Sequence, residues 1–287
     1  MKQFWRTMLR SPSGIIGLII LVLAIVIAVA GPFYFPNSPW RMVQRPFVPP
    51  FTVAKVPLGT DALGRDVLAG LIFGARVSLL VGLVSTLVAL VVGVPLGAIA
   101  GYFGGRVDTV IMRIADVQLT FPPILIALLV NGIAKSVSGN HLEWLSMLAV
   151  LVLAIGLSFW VQYARTVRSS VMVEKNKDYV AAAQLIGLPA PVIMLRHVLP
   201  NTTGPVLVIA TINLALAIIT EATLSFLGSG MPETMPSLGT LIRIGNNYLF
   251  AGEWWIVAFP GLALAGLILA INLLGDWLRD ALNPKLR

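Results

Sequence analysis

The sequence contains no cysteine among its 287 residues and only two histidines. Without thiols the chain cannot form disulfides, thiolate metal sites or a cysteine nucleophile. His141 and His197 lie far apart, and neither has a second ligand at the spacing of a metal site. Charge is also scarce, at 11% Asp, Glu, Lys and Arg, whereas soluble domains carry about 25%. These absences exclude most metal and thiol chemistry, and they argue against a surface that faces only water.

Hydrophobic residues are what the chain has in excess, at 57% of the sequence with a mean hydropathy of +0.91. A helix needs about 20 apolar residues to cross a bilayer, and about 17 suffice. Six charge-free segments meet this length, at residues 11–40, 77–105, 117–134, 144–164, 198–220 and 254–275. The sequence therefore predicts an all-α polytopic membrane protein with six transmembrane helices.

The distribution of basic residues predicts the orientation of these spans. With both termini in the cytosol, thirteen Lys and Arg residues lie on the cytosolic side and seven on the other, as the positive-inside rule favours. The net charge of +8 thus comes from Lys and Arg residues beside the ends of the spans, and no nucleic-acid partner is expected. The alternative is a cleaved signal peptide, because Ala28-Val29-Ala30 fits a cleavage pattern. The length of the apolar run favours a retained first span.

Small residues recur every four positions along the second span. They are Ser85, Ala89, Gly93, Gly97, Gly101 and Gly105. In lipid, a face of small side chains lets a neighbouring backbone approach closely. We expect a seam within the chain rather than a dimer face. Pro95 lies in the same helix and is expected to bend it.

Residues 163–201 form the longest cytosolic connection of the predicted topology. Residues 177–186 favour a helix, Gly187 fits the left-handed position that ends it, and residues 192–199 favour a second helix ended by Pro200. Ala181, Ala182 and Ala183 keep the first helix slim, which suits insertion into a partner's cleft. From these residues alone, a solvated helix that touches only the membrane surface is equally acceptable.

No arrangement in the sequence supports catalysis. There is no nucleophile elbow or triad, and no Gly-x-x-x-x-Gly-Lys-Ser/Thr loop to hold nucleotide phosphates. If ATP powers a process in which this chain takes part, the ATPase is a separate chain.

The connection resembles the coupling loop of bacterial ABC-importer permeases, in which Glu-Ala-Ala is followed by Gly and later by Leu-Pro. Ala182, Ala183, Gly187, Leu199 and Pro200 match this pattern, while Ala181 replaces the usual Glu. Other segments resemble the second permease subunit of the dipeptide, oligopeptide and nickel importers. These segments are residues 57–66, 74–79, 101–105, 112–116, 163–165, 221–228 and 272–284.

The resemblance implies a type I ABC importer permease fold in the bacterial inner membrane. It implies a homologous permease subunit, two ATPase subunits, an extracytoplasmic solute-binding protein and membrane lipid as partners. The cargo would be peptides, or alternatively nickel or another small solute. The chain itself would hold no cofactor, since ATP and Mg belong to the ATPase. The ATPase-coupling residues would be Tyr179, Ala181, Ala182, Ala183, Gly187, Leu199 and Pro200.

Two regions follow from these expectations. Residues 1–75 comprise the cytosolic tail, the first span and an extracytoplasmic loop. Residues 76–287 comprise a five-span permease core with the coupling loop at about 165–201. The many Pro and aromatic residues of 36–57 predict a fixed loop over the outer mouth, in contact with the binding protein or the partner permease.

Polar residues within or beside the spans have a structural and a functional interpretation. Glu221 and Asn213 could line the translocation path, although hydrogen bonding between helices is the interpretation we favour for both. Asp108, Arg113 and Asp116 are expected to form a local ion-pair set that orients the third span. An ion-coupled transporter would need mid-membrane carboxylates or broken helices, and an intramembrane enzyme would need a nucleophile or metal set. The sequence shows neither.

Overall fold

The structure, a computed structural model, describes Met8 and residues 11–35, 40–138 and 144–282. Lys2, Arg6, Arg10, Lys285 and Arg287, which enter the orientation count, lie outside these ranges, as does His141. The regular elements of the described residues are helices, which confirms the predicted all-α class. They are α1 (Pro12–Tyr34), α2 (Val67–Phe103), α3 (Gly105–Leu119), α4 (Pro123–Ser138), α5 (Trp144–Glu174), α6 (Asp178–Leu185), α7 (Ala190–Ile193), α8 (Thr203–Phe226), α9 (Leu238–Asn246) and α10 (Trp255–Leu282).

Five of these helices are long and apolar enough to cross a membrane, namely α1, α2, α5, α10 and the run that ends with α8. The third predicted span, residues 117–134, is not one helix. The chain bends by 88° between α3 and α4, so the pair counts as a sixth span only if both halves are taken together. Pro122 and Pro123 explain the break, because proline lacks an N–H and disfavours helical geometry in the residue before it.

Two helices extend well beyond their charge-free segments. Helix α2 begins at Val67 rather than at residue 77, because the carboxylate of Asp66 caps it by accepting from Leu68 N. Helix α5 continues through Arg165 and Arg168 to Glu174. Charge therefore marks the predicted edge of the membrane but does not end either helix. The predicted division at residues 75 and 76 falls within α2 and stays a prediction.

Helix α2 lies at the centre of the bundle. It runs parallel to α5, since Ser85 lies near Gly156 and Gly101 near Arg168. It runs antiparallel to α8, since Ser78 contacts Glu221 and Gly82 lies near Ile218. The main apolar core lies among α2, α4, α5 and α8. It includes Val81, Ala89, Ala127, Leu151, Ile155, Phe159, Tyr163, Ala217 and Leu224.

The connection between α1 and α2 is anchored at several points. Trp40 Nε1 donates to Thr234 O at 2.7 Å, and Trp255 Nε1 donates to Thr60 O at 3.1 Å. Asp61 and Arg65 form a salt bridge within the connection at 2.5 Å. These contacts hold residues 40–66 against the end of the bundle opposite residues 175–202. Contact of this loop with another chain stays a prediction.

Candidate docking loop

Residues 175–202, here called the docking loop, begin with a short helix close to the one predicted. Helix α6 is Asp178–Leu185, with Lys177 and Ile186 as its caps, against the expected 177–186. Gly187 has a φ of +83°, in the left-handed region. Its N–H donates to Gln184 O, and Leu188 N donates to Ala183 O, which is the Schellman arrangement. Apart from the glycine and its two chain neighbours, no atom of the described residues lies within 4 Å of the place where a β-carbon on Gly187 would stand. The backbone angle alone therefore favours glycine at this position.

The second half of the loop differs from the prediction. A separate helix at 192–199 was expected to end at Pro200, but the chain stays helical from Ala190 to Phe226. Helix α7 passes through a π-helical turn (Met194–Val198) and a 3₁₀ turn (Leu199–Thr202) into α8. Pro200 is tolerated because it occupies the first turn of the 3₁₀ segment, where its missing N–H costs little. The loop is thus joined to a long helix without a flexible connection.

The three alanines of α6 do not share one environment. Ala181 and Ala182 are exposed, whereas Ala183 is only 5% exposed. Ala183 packs inward with Val180, Ile193 and Val198 against Val171 and Ala98. The expectation that Ala183 faces a partner is therefore wrong, and its small size serves the packing of the loop on its own helices. Leu199 is half-buried beside the same cluster, and Pro200 is exposed.

Large apolar side chains on the outer surface of the loop were missed from the sequence. Leu185 is 90% exposed, Ile186 78% and Leu195 63%. Leu185 and Ile186 stand together at the end of α6, immediately before the Gly187 turn. A pair of bulky apolar residues beside a glycine stop was the available signal. Exposed apolar residues that stand together in this way mark a contact surface more often than isolated ones do.

Tyr179 connects the two ends of the docking loop. Its hydroxyl donates to Glu174 at 2.6 Å and accepts from Asn201 Nδ2 at 3.0 Å. Lys177 Nζ also donates to Glu174, at 2.6 Å. Burial, together with the Glu174 carboxylate, raises the pKa of Tyr179, so the hydroxyl keeps the proton that it donates. The side chain therefore joins the end of α5 to the 3₁₀ turn that precedes α8, and its role within this chain is structural.

Lys175 fixes the loop beneath the central helix. Its Nζ donates to Gly101 O at 2.7 Å and to Tyr102 O at 3.2 Å, at the C-terminal end of α2. Helix C-termini carry partial negative charge and unpaired carbonyls, which a cation stabilises. The loop therefore contacts α2, α5 and α8 together.

The glycine face of α2 packs on α5 within the chain. A β-carbon on Gly93 would lie 2.6 Å from Tyr163 Cβ, one on Gly97 2.8 Å from Ala164 Cα, and one on Gly101 2.7 Å from Arg168 O. These distances leave no room for a side chain, so the two backbones touch. Gly105 does not belong to this face. It opens α3 with a φ of +54°, and among the described residues no atom outside its own turn lies within 4 Å of its would-be β-carbon.

The acidic residues of α3 pair with α5 rather than with Arg113. Asp108 accepts two hydrogen bonds from Arg168, one of them at 2.6 Å, and Asp116 pairs with Arg165 at 2.5 Å. In the described part of the chain, Arg113 has no carboxylate within salt-bridge distance. The local ion-pair set expected from the sequence is therefore wrong. The charges fasten α3 to the neighbouring helix instead.

Comparison with known proteins places these features in a family. Residues 93–287 match the family described as the binding-protein-dependent transport system inner membrane component. The chain belongs to this family. Residues 1–50 also match the N-terminal transmembrane domain of oligopeptide transport permease C. The predicted resemblance to the second permease subunit of this group is thus confirmed.

Curated relatives of this transport component align along its whole length. The di/tripeptide transport system permease protein DppC of Pseudomonas aeruginosa is 38% identical over 293 residues, covering 100% of this chain and 93% of the relative. The dipeptide transport system permease protein DppC of Bacillus subtilis is 37% identical over 287 residues, covering 100% of this chain and 86% of the relative. The glutathione transport system permease protein GsiD of Pectobacterium atrosepticum is 34% identical, covering 100% and 91%.

A solved structure with the same architecture is the MetNI methionine ABC transporter in an inward-facing conformation. Its matching chain superposes with a TM-score of 0.58 at 19% identity, covering 75% of this chain and 96% of that one. At this identity the likeness shows the fold alone. It confirms the expected type I ABC importer permease fold.

The two polar residues suggested for a translocation path are buried within this transport component. Glu221 is 0% exposed and accepts hydrogen bonds from Ser78 and Ser225. Asn213 is 1% exposed and faces the Tyr163 hydroxyl, yet neither side chain makes a hydrogen bond of normal geometry. Glu221 therefore bridges two helices, whereas Asn213 does not. Contact of either residue with cargo stays a prediction.

Proposed function

We propose that this chain is a permease subunit of an ATP-driven ABC importer and forms half of the translocation path for peptides. Full-length relatives named as dipeptide and di/tripeptide permeases, at 35–38% identity, support the peptide class. A homologous permease supplies the other half, and an extracytoplasmic binding protein delivers the cargo. ATP and Mg bind two ATPase subunits below, so this chain is not itself an enzyme.

The docking loop is the observation that carries the proposal. It offers Leu185 and Ile186 to a partner from a rigid helix, and its other side packs on α2 and α5. Because the chain stays helical from residue 190 to residue 226, a displacement of the loop moves α8 directly. ATP can drive this movement only if it binds one arrangement of the assembly better than the other.

An ion-coupled transporter would also use a broken helix, which α3 and α4 provide. The docking loop would have no role in such a protein. The family assignment and the exposed loop together favour the importer.

The decisive test is recovery of the ATPase with the tagged permease. Leu185→Asp should reduce the recovered ATPase about tenfold or more, because it puts a charge into the centre of an apolar contact. Leu185→Met is the matched control, since it keeps an apolar side chain of similar volume, and it should recover the ATPase normally. Equal recovery with Leu185→Asp would remove the docking loop as the contact, and no ATPase with the unaltered chain would remove the importer assignment.

Orientation can be tested with single cysteines, because the native chain has none and the background is zero. Gln44 and Lys177 are exposed, and Ser138 is the last described residue of α4. With the docking loop in the cytosol, Gln44→Cys and Ser138→Cys should react with an impermeant thiol reagent in intact cells, and Lys177→Cys should react only after lysis. Labelling of Lys177→Cys in intact cells would reverse the proposed topology.

A further inference from the structure

Glu221 accepts hydrogen bonds from two serines but has no cationic partner among the residues that the structure describes. Its Oε2 accepts from Ser78 Oγ at 2.8 Å, and its Oε1 accepts from Ser225 Oγ at 2.7 Å. None of the salt bridges within the described ranges includes it. Burying a carboxylate among helices costs free energy unless hydrogen bonds compensate for the lost water. Two serine hydroxyls that both donate to this carboxylate therefore call for an explanation.

Each of the two serines also accepts a hydrogen bond from the backbone. Leu238 N donates to Ser78 Oγ at 3.2 Å, and Met231 N donates to Ser225 Oγ at 3.2 Å. Two hydrogen-bond relays therefore run in parallel. Each leads from a backbone N–H through its own serine to its own oxygen of the Glu221 carboxylate. They start at the two ends of the same segment, residues 231–238, and converge on Glu221.

The backbone on either side of the relays is packed too closely to accept substitutes. A β-carbon on Gly230 would lie 2.5 Å from Ser225 Cα, and one on Gly239 would lie 2.6 Å from Ala222 Cα. Between these points the segment is held once more, where Trp40 Nε1 donates to Thr234 O at 2.7 Å. The segment is thus attached to α2, to α8 and to the connection that follows α1.

The fastened segment forms one wall of a cavity of about 290 Å³ at the end of the bundle opposite the docking loop. Met231, Met235 and Pro236 line it from the segment, facing Trp144 and Arg76. The cavity is mainly apolar, and Arg76 supplies a cation at its edge. The position of this wall depends on residues 231–238, and their position depends in turn on the two serine relays to Glu221.

We propose that Glu221 is a positioning residue that holds residues 231–238 in place through Ser78 and Ser225, and so sets one wall of this cavity. The role requires two acceptor oxygens. In Glu221→Gln the shape is kept, but one oxygen becomes an NH₂ donor. The serine that faces it then has a hydroxyl proton without an acceptor, and one relay is lost.

The test measures release of the segment in the purified full-length protein. A cysteine at Met235, which is partly buried, reports on the wall. Adding Glu221→Gln should increase its rate of reaction with a maleimide about tenfold, because the segment opens locally when a buried hydrogen bond is lost. Ser78→Ala and Ser225→Ala should each increase the rate similarly. Combined with Glu221→Gln, the serine variant of the relay that is already lost should add little, whereas the other serine variant removes the remaining relay and should increase the rate further.

Two control cysteines separate local release from general loosening. Ala127→Cys, at a fully buried position of the core, should stay unreactive in every background. Lys177→Cys, on the exposed docking loop, should react equally fast in all of them. An unchanged rate at position 235 in Glu221→Gln, Ser78→Ala and Ser225→Ala would overturn the proposal, as would a simultaneous increase at position 127. If Glu221→Gln does not accumulate, the serine variants decide the question. Labelling does not depend on transport, so the result stands even if the proposed function fails.

Discussion

Ala182→Trp should abolish transport and leave the permease folded. Ala182 is exposed on α6, one turn before the apolar pair Leu185 and Ile186, so a large side chain there meets no part of this chain. In the assembled importer it would stand between the loop and the ATPase cleft. We expect normal amounts of the permease pair, together with loss of the ATPase or loss of its stimulation by loaded binding protein.

Gly187→Val should have a similar outcome for a different reason. At a φ of +83° a residue with a β-carbon pays about 1–2 kcal/mol. Space is not the obstacle, since in the described part of the chain no atom beyond the adjacent residues lies within 4 Å of the would-be β-carbon. Gly187→Asn is therefore the matched control, because asparagine adopts left-handed geometry more easily, and it should keep most of the transport activity.

The measurements are peptide uptake in cells and ATP hydrolysis by the reconstituted assembly. Ala181→Glu, which restores the usual family residue at an exposed position, should be tolerated. Ala183→Trp cannot replace Ala182→Trp in this experiment, because Ala183 is buried and the change would disrupt the loop itself. Normal uptake with both Ala182→Trp and Gly187→Val would mean that the loop does not couple the ATPase to the spans.

Local patterns in the sequence were sufficient for the first half of the docking loop. The bounds of α6 were predicted to within one residue at each end, and Gly187 was assigned its left-handed turn. Both depend on residues within one or two helical turns. Which alanine faces inward could not be predicted, because successive residues on a helix differ by about 100° and the neighbouring surface of α2 and α5 was unknown.

Errors at the ends of helices came from treating charge and proline as stops. Pro122 and Pro123 can be read from the sequence. Because residues 117–134 carry no charge, they were nevertheless predicted as one span, and the bend between α3 and α4 was missed. Pro200 was taken as a stop, although its position in a 3₁₀ turn lets the chain continue into α8. Whether a proline bends, ends or begins a helix depends on backbone geometry that composition does not contain.

Partners distant in the sequence account for the remaining differences. Asp108 was expected to pair near Arg113, yet its partner Arg168 is sixty residues away. The hydrogen bond between Ser78 and Glu221 spans 143 residues. Glu221 itself was recognisable as an unusual acid in a span. The serine relays that explain it depend on the packing of α2 against α8, which a single sequence does not show.

Gly97→Leu should cause a large loss of stability. A β-carbon at this position would lie 2.8 Å from Ala164 Cα, so the obstacle is the backbone of α5 rather than a side chain that can turn away. Helices α2 and α5 would have to separate along the seam that the core and the docking loop share. Overpacking of this kind costs about 1–3 kcal/mol or more, which corresponds to a fall of about 2–12 °C in the midpoint of thermal unfolding in detergent. The matched control is Gly132→Leu, the same change at an exposed glycine of α4, where no described residue outside its own helical turn places an atom within 4 Å of the would-be β-carbon. That variant should unfold within a degree or two of the unaltered chain, since surface changes cost at most about 0.5 kcal/mol. Equal midpoints for the two variants would mean that α2 and α5 do not approach as closely as the glycine seam requires.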